Sequence, residues 1–337
     1  MKKALFIRSL KLGDSVLFSP IVESFHRKFP DYKIDLVTYF KQSREFWEHY
    51  PYVDIVFIEN NNFVDKLKLI LKLRKNKYEY VFVSSQECGA ALKYYFVGAK
   101  YYIGFKNAWF YGESYDRFYF LFDKYLIGNQ RIHDTLRNFK LLEAIGIKDY
   151  VKNFVFYPVK EKKQNFYTFK EKKNIKEYAI ISLIGHSPGR NFPLDMWKVL
   201  VNKIGNKIDL QFLFIGTGND FQKNEEYIRC CKGWDCINLS GETDFDLLYY
   251  FLEGARFLLT VDNGIMHFAS IFDINKIVLW GPGNFEVFSP QYINNRNLKI
   301  FRVQDITCGP CQYVCNDMIC YKKLDIDDIA NYITNLV

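Results

Sequence analysis

Residues 260–267 (TVDNGIMH) have the composition of an anion-binding turn between two apolar runs. The pattern predicts a strand, a polar turn at its carboxyl end and a short helix beginning at Gly264. Unpaired backbone N–H groups at the start of such a helix favour negative charge. The side chains of Asp262 and His267 can form hydrogen bonds with a hydroxyl or a phosphate. Asn263 lies between Asp262 and Gly264 in the same turn. His267 alone is more typical of a helix histidine bonded to backbone.

Two further polar turns follow predicted strands. Residues 185–190 (GHSPGR) bring Ser187 and Arg190, whose guanidinium can grip a phosphate with two N–H groups. Residues 216–220 bring Gly216 and Asp220, a carboxylate able to accept hydrogen bonds from ribose hydroxyls. Glycine-rich turns also join strands to helices in proteins that bind nothing. Because carboxyl ends of parallel strands share one edge, the joint placement favours a nucleotide-sized ligand.

Asp14 is the candidate catalytic carboxylate of the first half. It follows the first predicted strand within the segment KLGD, residues 11–14. A carboxylate beside a sugar hydroxyl can take its proton as the oxygen attacks. The alternative is that Asp14 caps the helix beginning near Ser15, and the spacing leaves both interpretations open.

Four cysteines, Cys308, Cys311, Cys315 and Cys320, lie close together near the end of the sequence. Thiolates bind zinc or iron tetrahedrally, so a structural metal is one hypothesis. The spacing differs from that of zinc fingers and ribbons, which leaves free thiols and disulfides as alternatives.

The elements that must position these residues alternate between strand and helix. In the first half the patterns predict strands at 4–9, 34–38, 55–59 and 80–84 and helices at 16–29 and 63–75. After a charged, irregular stretch from Asp149 to Lys176, strands are predicted at 178–184, 210–215 and 237–239, with helices at 194–204, 221–231 and 245–254. Such alternation indicates an α/β protein with two doubly wound domains facing each other across a cleft.

Bulk properties narrow the class of protein. A chain of 337 residues favours two domains, and no apolar run reaches the eighteen residues expected of a membrane-spanning helix. The start is not a signal peptide, because Arg8 breaks its apolar run, and a cytoplasmic location is expected.

The net charge of +8 has two interpretations. It suits an acidic partner such as a phosphorylated small molecule or a membrane surface, or it merely keeps the protein soluble. The lysines are scattered, which argues against nucleic acid.

Five segments together resemble glycosyltransferase family 9, the ADP-heptose heptosyltransferases of lipopolysaccharide assembly. They occur in family order from residue 8 to about residue 320: 8–14 (RSLKLGD), 188–193 (PGRNFP), 239–243 (LSGET), 262–267 (DNGIMH) and 279–282 (LWGP). The resemblance implies a GT-B fold, with an acceptor-binding Rossmann-like domain at 1–155 and a nucleotide-sugar-binding domain, including the cysteine-rich tail, at 177–337. It also implies an inverting mechanism that requires no metal or other cofactor for catalysis.

The same resemblance suggests roles for single residues. Asp14 matches the aspartate that the family uses as base. Arg190 stands where the family usually has lysine against the diphosphate, which keeps the charge and changes its geometry. Asp262, Asn263 and Gly264 match the donor-phosphate loop, with Asn263 in place of threonine or serine. Asp220 and Thr243 fall near nucleotide contacts.

The expected function is transfer of a heptose from ADP-heptose to a lipopolysaccharide core or a related acidic acceptor, with peripheral contact at the inner membrane as one possibility. A transferase that uses another nucleotide sugar or a protein acceptor shares the same fold, as does a non-catalytic binder of sugar nucleotides. Asp14 argues against the binder, which has no need of a carboxylate facing the donor. The acceptor, the sugar and the oligomeric state are left open by the sequence.

Overall fold

The computed structural model describes residues 2–8, 11–84, 89–106, 116–127, 132–290, 297–304, 306, 308, 311, 315 and 317–336. The chain divides into two compact units, residues 1–157 and 158–337. Each unit contains one six-stranded sheet whose neighbouring strands all run parallel.

The N-terminal unit has the strand order β3-β2-β1-β4-β5-β6. Its strands are β1 Lys2–Ile7, β2 Tyr32–Thr38, β3 Val53–Ile58, β4 Tyr80–Val83, β5 Tyr101–Phe105 and β6 Lys124–Leu126. Its helices are α1 Leu12–Lys28, α2 Lys41–Trp47, α3 Phe63–Arg74, α4 Ala90–Tyr95 and α5 Asp134–Glu143.

The C-terminal unit repeats this topology in the order β12-β11-β10-β7-β8-β9. Its strands are β7 Tyr178–Ser182, β8 Gln211–Phe214, β9 Asp235–Asn238, β10 Phe257–Val261, β11 Asn275–Leu279 and β12 Leu298–Phe301. Its helices are α6 Lys163–Lys172, α7 Leu194–Ile204, α8 Phe221–Ile228, α9 Phe245–Glu253, α10 Gly264–Ala269, α11 Phe285–Phe288, α12 Ile319–Lys322 and α13 Ile326–Thr334.

Alternate residues of β1 show how both faces of a sheet are covered. Phe6 contacts the rings of Phe18 and Phe25 on α1 at centroid distances of 6.0 and 5.3 Å. Leu5 and Ile7 point to the opposite face, where they share a buried cluster with residues of α3 and α4. A parallel strand covered on both faces is apolar where it is buried, which is why residues 4–7 of β1 form a continuous apolar run.

Strand order reverses between β1 and β4 and again between β7 and β10. In open parallel sheets, ligands bind outside the carboxyl ends of the strands at such a switch point. The turns after β7 and β10 therefore lie at the ligand-binding position of the C-terminal sheet, and the turn after β1 lies at that of the N-terminal sheet.

The predicted alternation of strands and helices is confirmed in both units, although some elements differ from the prediction in their bounds and others were not predicted. Helix α1 begins at Leu12, four residues earlier than predicted, so Asp14 lies inside its first turn. The expectation that 149–176 is irregular is wrong for 163–172, which form α6 and bury Phe166 against α9. Residues 41–47, for which no element was predicted, form α2. Among the described residues, no helix has the length and apolarity needed to cross a membrane.

Candidate functional site

Asp262 is a buried carboxylate at the carboxyl end of β10. Its Oδ2 lies 3.4 Å from Nη1 of Arg190, which follows β7 across the switch point. Burial raises the pKa of the Asp262 carboxyl above its ordinary value, and the Arg190 guanidinium opposes that rise. A Cβ on Gly283 would lie only 2.1 Å from Asp262 Oδ2. The loop after β11 therefore needs glycine at position 283 to pass this carboxylate.

Asn263 has a structural role that the sequence did not predict. Its Oδ1 accepts a hydrogen bond of 2.9 Å from the Met266 N–H and so caps α10. Its Nδ2 donates to Ser182 Oγ at 2.9 Å and to the Ile184 carbonyl at 3.0 Å. The side chain therefore ties the turn after β10 to the end of β7. The family resemblance implies a serine or threonine hydroxyl at this position. The Asn263 amide stands there instead and is hydrogen-bonded to backbone groups and to Ser182.

The start of α10 and the turn after β7 supply further polar groups. Helix α10 begins at Gly264, as predicted, and His267 is buried within it. The Oγ of Ser187 is buried and has no hydrogen-bond partner among the residues described by the structure. A buried hydroxyl normally has a partner, so Ser187 is available to a bound group.

The turns after β8 and β9 approach each other closely. The Gly241 N–H donates to the Gly216 carbonyl at 2.9 Å. Gly241 has a φ of +77°, and a Cβ there would lie 2.9 Å from the Cα of Gly218. These glycines allow two backbones to meet. Thr243 follows in the same turn and is half-buried.

Asp220 is partly engaged within its own turn. Its Oδ2 accepts hydrogen bonds of 2.7 Å from both the N–H and the Oγ1 of Thr217. The arrangement closes a short helical turn at Gly218–Asp220. Asp220 thus orders the loop, and its second oxygen is the one that remains for a ligand hydroxyl.

Tyr321 contacts the turn that carries Arg190, and the sequence did not indicate this role. Its side chain is fully buried, and its hydroxyl donates to the Arg190 carbonyl at 2.8 Å. A Cβ on Gly281 would lie 2.4 Å from the Tyr321 ring. The only sequence signal for this contact is the position of Tyr321 directly after the cysteine-rich segment.

The cysteine-rich segment packs beside the same loops. The Cys311 N–H donates to the Pro282 carbonyl at 3.3 Å, and Cys320 is buried next to Tyr321. Burial raises the pKa of Cys320 to about 11, with a further contribution from the thiols of Cys311, Cys315 and Cys308.

The structural zinc or iron expected at this segment is not supported. Cys308, Cys311, Cys315 and Cys320 are all free thiols. Within the described ranges, no group of three or more His, Cys, Asp or Glu side chains is arranged to hold a metal ion. The spacing in the sequence brought the thiols into one segment without the convergence that four ligands need. The contact of this segment with the loop after β11 is the backbone hydrogen bond from Cys311 to Pro282.

Asp14 lies in the first turn of α1, at the carboxyl end of β1. Its Oδ2 accepts a hydrogen bond of 3.3 Å from the Lys11 N–H, as a capping residue does. Its side chain is 21% exposed, and Oδ1 lies 3.6 Å from Nη2 of Arg8. The capping contact therefore exists, and part of the carboxylate remains open to solvent.

Arg8 forms the centre of a buried polar cluster behind Asp14. Its Nη2 lies 2.5 Å from Oδ2 of Asp134 on α5, and neither side chain is exposed. Its Nη1 donates to Ser84 Oγ at 2.9 Å, and Ser84 in turn donates to Asn138 Oδ1. The signal in the sequence was a charged residue directly after a buried strand, but its partner, 126 residues away, could not be identified from it.

A second buried guanidinium belongs to the same cluster. Arg137 lies on α5, with its guanidinium carbon 4.0 Å from the centroid of the Phe105 ring. Burial lowers the pKa of Arg137 to about 10, while the carboxylate of Asp134 opposes the shift. Two arginines and the Asp134 carboxylate therefore share the interior of the N-terminal unit.

The two parallel α/β units, each with the same strand order, define a protein of the GT-B fold. The chain is similar to E. coli ADP-heptose lipopolysaccharide heptosyltransferase II, with 16% identity, a TM-score of 0.76 and coverage of 100% of this chain and 98% of that one. It is also similar to the E. coli heptosyltransferase WaaC with ADP, with 14% identity, a TM-score of 0.72 and coverage of 99% and 100%.

A family model and a curated relative identify the family. The model for glycosyltransferase family 9 (heptosyltransferase) matches residues 66–322. Lipooligosaccharide heptosyltransferase 2 of Campylobacter jejuni is 25% identical over 97% of this chain and 95% of its own length. The chain belongs to glycosyltransferase family 9.

Proposed function

We propose that this protein is an inverting heptosyltransferase that transfers a heptose from ADP-heptose to a lipopolysaccharide core or a related acidic glycolipid. The observation that carries the proposal is the Arg190–Asp262 pair at the switch point of the C-terminal sheet, in a chain of this family. The printed names of its relatives, lipooligosaccharide and lipopolysaccharide heptosyltransferases, support the choice of donor and acceptor.

The C-terminal unit holds the donor in this proposal. Arg190, Ser187 and the N–H groups at Gly264 bind the diphosphate, while Asp262 orients Arg190 through their ion pair. Asp220 and Thr243 face the nucleoside from the turns after β8 and β9. Gly216 lies where these two turns approach each other. His267 is buried in α10 and stabilises the turn between β10 and α10.

The N-terminal unit supplies the base. Asp14 accepts the proton of an acceptor hydroxyl as its oxygen forms a bond to the anomeric carbon of the heptose. The bond from that carbon to the diphosphate breaks on the opposite face, and ADP leaves with the electron pair. Arg190 and the start of α10 stabilise the charge that develops on ADP, the role that a metal has in other transferases.

The acceptor also sets the proposed location. A lipopolysaccharide precursor is anchored in a membrane, so the protein works in the cytoplasm with peripheral contact at the inner membrane. The net charge of +8 suits both an acidic glycolipid and an anionic surface.

A donor screen tests the proposal. The purified protein is incubated with ADP-heptose, other ADP-sugars, UDP-sugars and GDP-sugars, each with a heptose-deficient core glycolipid, and released nucleotide is measured. We expect release of ADP that depends on both ADP-heptose and the glycolipid. Release from a UDP- or GDP-sugar would assign another nucleotide sugar, and binding without release would assign a non-catalytic binder.

A further inference from the structure

Helix α3 has an apolar face turned to solvent in addition to the one that it buries. Ile70 and Leu73 lie in the core beneath it. On its other side the exposed fractions are 79% for Phe63, 52% for Leu67 and 54% for Leu71. Single exposed apolar residues are ordinary, but a row of them on one short helix is not.

The spacing places these residues in one stripe. Phe63, Leu67 and Leu71 are four residues apart, so successive members lie one above the other along the helix. Val64, 52% exposed, widens the stripe at the N-terminal turn. The stripe is continuous over the length of α3 and has the form of the apolar side of an interfacial helix.

Basic residues occupy the rest of the outward face. Lys68, Lys72, Arg74 and Lys75 are all exposed. Residues 63–77 contain six basic side chains and one acidic one, Asp65. Long lysine and arginine side chains beside an apolar stripe can keep their charges in the aqueous layer while the stripe enters an apolar phase.

The charge distinguishes between possible occupants of this face. A symmetric dimer would set the same patch on both copies, with its lysines against lysines, and like charges repel. An anionic phospholipid surface offers phosphate oxygens to the basic row and acyl chains to the stripe. The pattern therefore favours a bilayer over a second copy.

We propose that the outward face of α3, comprising Phe63, Val64, Leu67, Leu71 and the basic row, docks this protein on an anionic phospholipid bilayer. The proposal rests on the proposed function in that a membrane-linked acceptor gives the docking its purpose. Helix α3 begins after β3 and α1 begins after β1, at the same carboxyl edge of one parallel sheet. The N-terminal turn of the docking helix, with Phe63 and Val64, therefore lies at the same edge of the sheet as Asp14.

Vesicle co-sedimentation of the full chain tests the docking. The two vesicle types are phosphatidylcholine alone and an equal mixture of phosphatidylcholine and phosphatidylglycerol. We expect binding to the mixed vesicles that weakens as salt is raised, because salt screens the basic row. Equal binding to both vesicle types, or to neither, would overturn the proposal.

Two variants separate the apolar and the charged contributions. The double variant Leu67→Ser/Leu71→Ser should lower partitioning into mixed vesicles at least about tenfold. The triple variant Lys68→Ala/Lys72→Ala/Lys75→Ala should lower it by on the order of a hundredfold at low salt. The matched controls are Val199→Ser and Lys198→Ala on the exposed side of α7, which should bind as the wild type does.

The contradicting outcomes are distinct from failure of the proposed function. Undiminished binding by the Leu67/Leu71 variant, or an equal loss in the controls, would exclude α3 as the docking surface. A dimer that this variant dissociates would assign the face to a second copy and likewise overturn the proposal. Release of ADP with a soluble, delipidated acceptor should be unchanged in the α3 variants. Vesicle binding by a protein that releases no ADP would refute the function and leave the docking standing.

Discussion

The guanidinium of Arg8 lies 3.6 Å from the carboxylate of Asp14, at the point where the strand order of the N-terminal sheet reverses. Arg8 is itself held by Asp134 and Ser84, so the positive charge beside Asp14 has a fixed position. Together with the Lys11 N–H, it sets the place of the carboxylate in the first turn of α1. The proposed base is thus anchored from two sides while part of it stays open to solvent.

Replacing Asp14 by Asn should abolish transfer while leaving ADP binding nearly intact. The amide keeps the shape of the side chain but cannot accept the proton, and general-base catalysis contributes about 10²- to 10⁴-fold to a rate. Steady-state ADP release and ADP titration calorimetry measure the two properties. The control Asp31→Asn changes an exposed aspartate in the turn between α1 and β2. Undiminished turnover in the Asp14 variant would refute its role as base.

Removing Arg8 should destabilise the N-terminal unit strongly. Arg8→Met leaves the Asp134 carboxylate buried without its closest cation, and breaking such a pair from one side costs about 3–5 kcal/mol. The double variant Arg8→Met/Asp134→Asn removes the unpaired charge and should recover part of that loss. Urea denaturation of the wild type, both single variants and the double variant gives the coupling energy. Losses that simply add in the double variant would show that the pair is not coupled.

Arg190 should control affinity for ADP. Arg190→Ala removes charged hydrogen bonds to the diphosphate, each of which contributes about 1.5–3 kcal/mol, so the Kd should rise about ten- to a hundredfold. Arg190→Lys, the residue usual in the family by resemblance, keeps the charge and should retain most of the affinity. Calorimetric titration with ADP measures both. An Arg190→Ala variant that binds ADP like the wild type would exclude Arg190 from the phosphate site.

The pH dependence of stability should reveal the Asp262–Arg190 pair. Because the folded pKa of Asp262 is raised above its unfolded value, its contribution to stability is present at low pH and is lost as pH rises through the folded pKa. Arg190 opposes that rise, so Arg190→Met should lose more stability than the wild type as the pH is raised from about 4. The double variant Arg190→Met/Asp262→Asn should not show the extra loss. Urea denaturation across this range is the measurement, and parallel curves for the wild type and Arg190→Met would contradict the coupling.

Gly283 should tolerate no side chain. A Cβ there would meet Asp262 Oδ2 at 2.1 Å, so Gly283→Ala must displace the carboxylate or the loop after β11. Overpacking of this kind costs about 1–3 kcal/mol in urea denaturation. Gly218→Ala is the matched control for stability, because no atom lies within 4 Å of its added Cβ and its φ is not positive. Equal stability of the two alanine variants would show that the loop can move away from Asp262.

The local pattern of apolar residues predicted much of the fold, because the period and the length of an apolar run reflect how that segment is buried. Helix α7 has the predicted bounds, Leu194–Ile204, because proline precedes it and glycine follows it. Helix α1 was predicted too short, since Leu12 and Gly13 precede the first long apolar run. The stretch around α6 was misjudged because charged residues cover a short helix whose main buried anchor is Phe166.

The sequence alone determined which polar residues follow which strands, and hence that the turns carrying Arg190 and Asp262 would converge. Parallel strands share one carboxyl edge, so their turns converge whatever the details of packing. Only the tertiary structure decided what each side chain does there. It made Asn263 a cap, set Tyr321 beneath Arg190, paired Arg8 with Asp134 and left the cysteines as free thiols. The physical reason is that each buried polar group needs a hydrogen-bond partner. Packing brings that partner from a distant part of the chain, so local spacing in the sequence does not identify it.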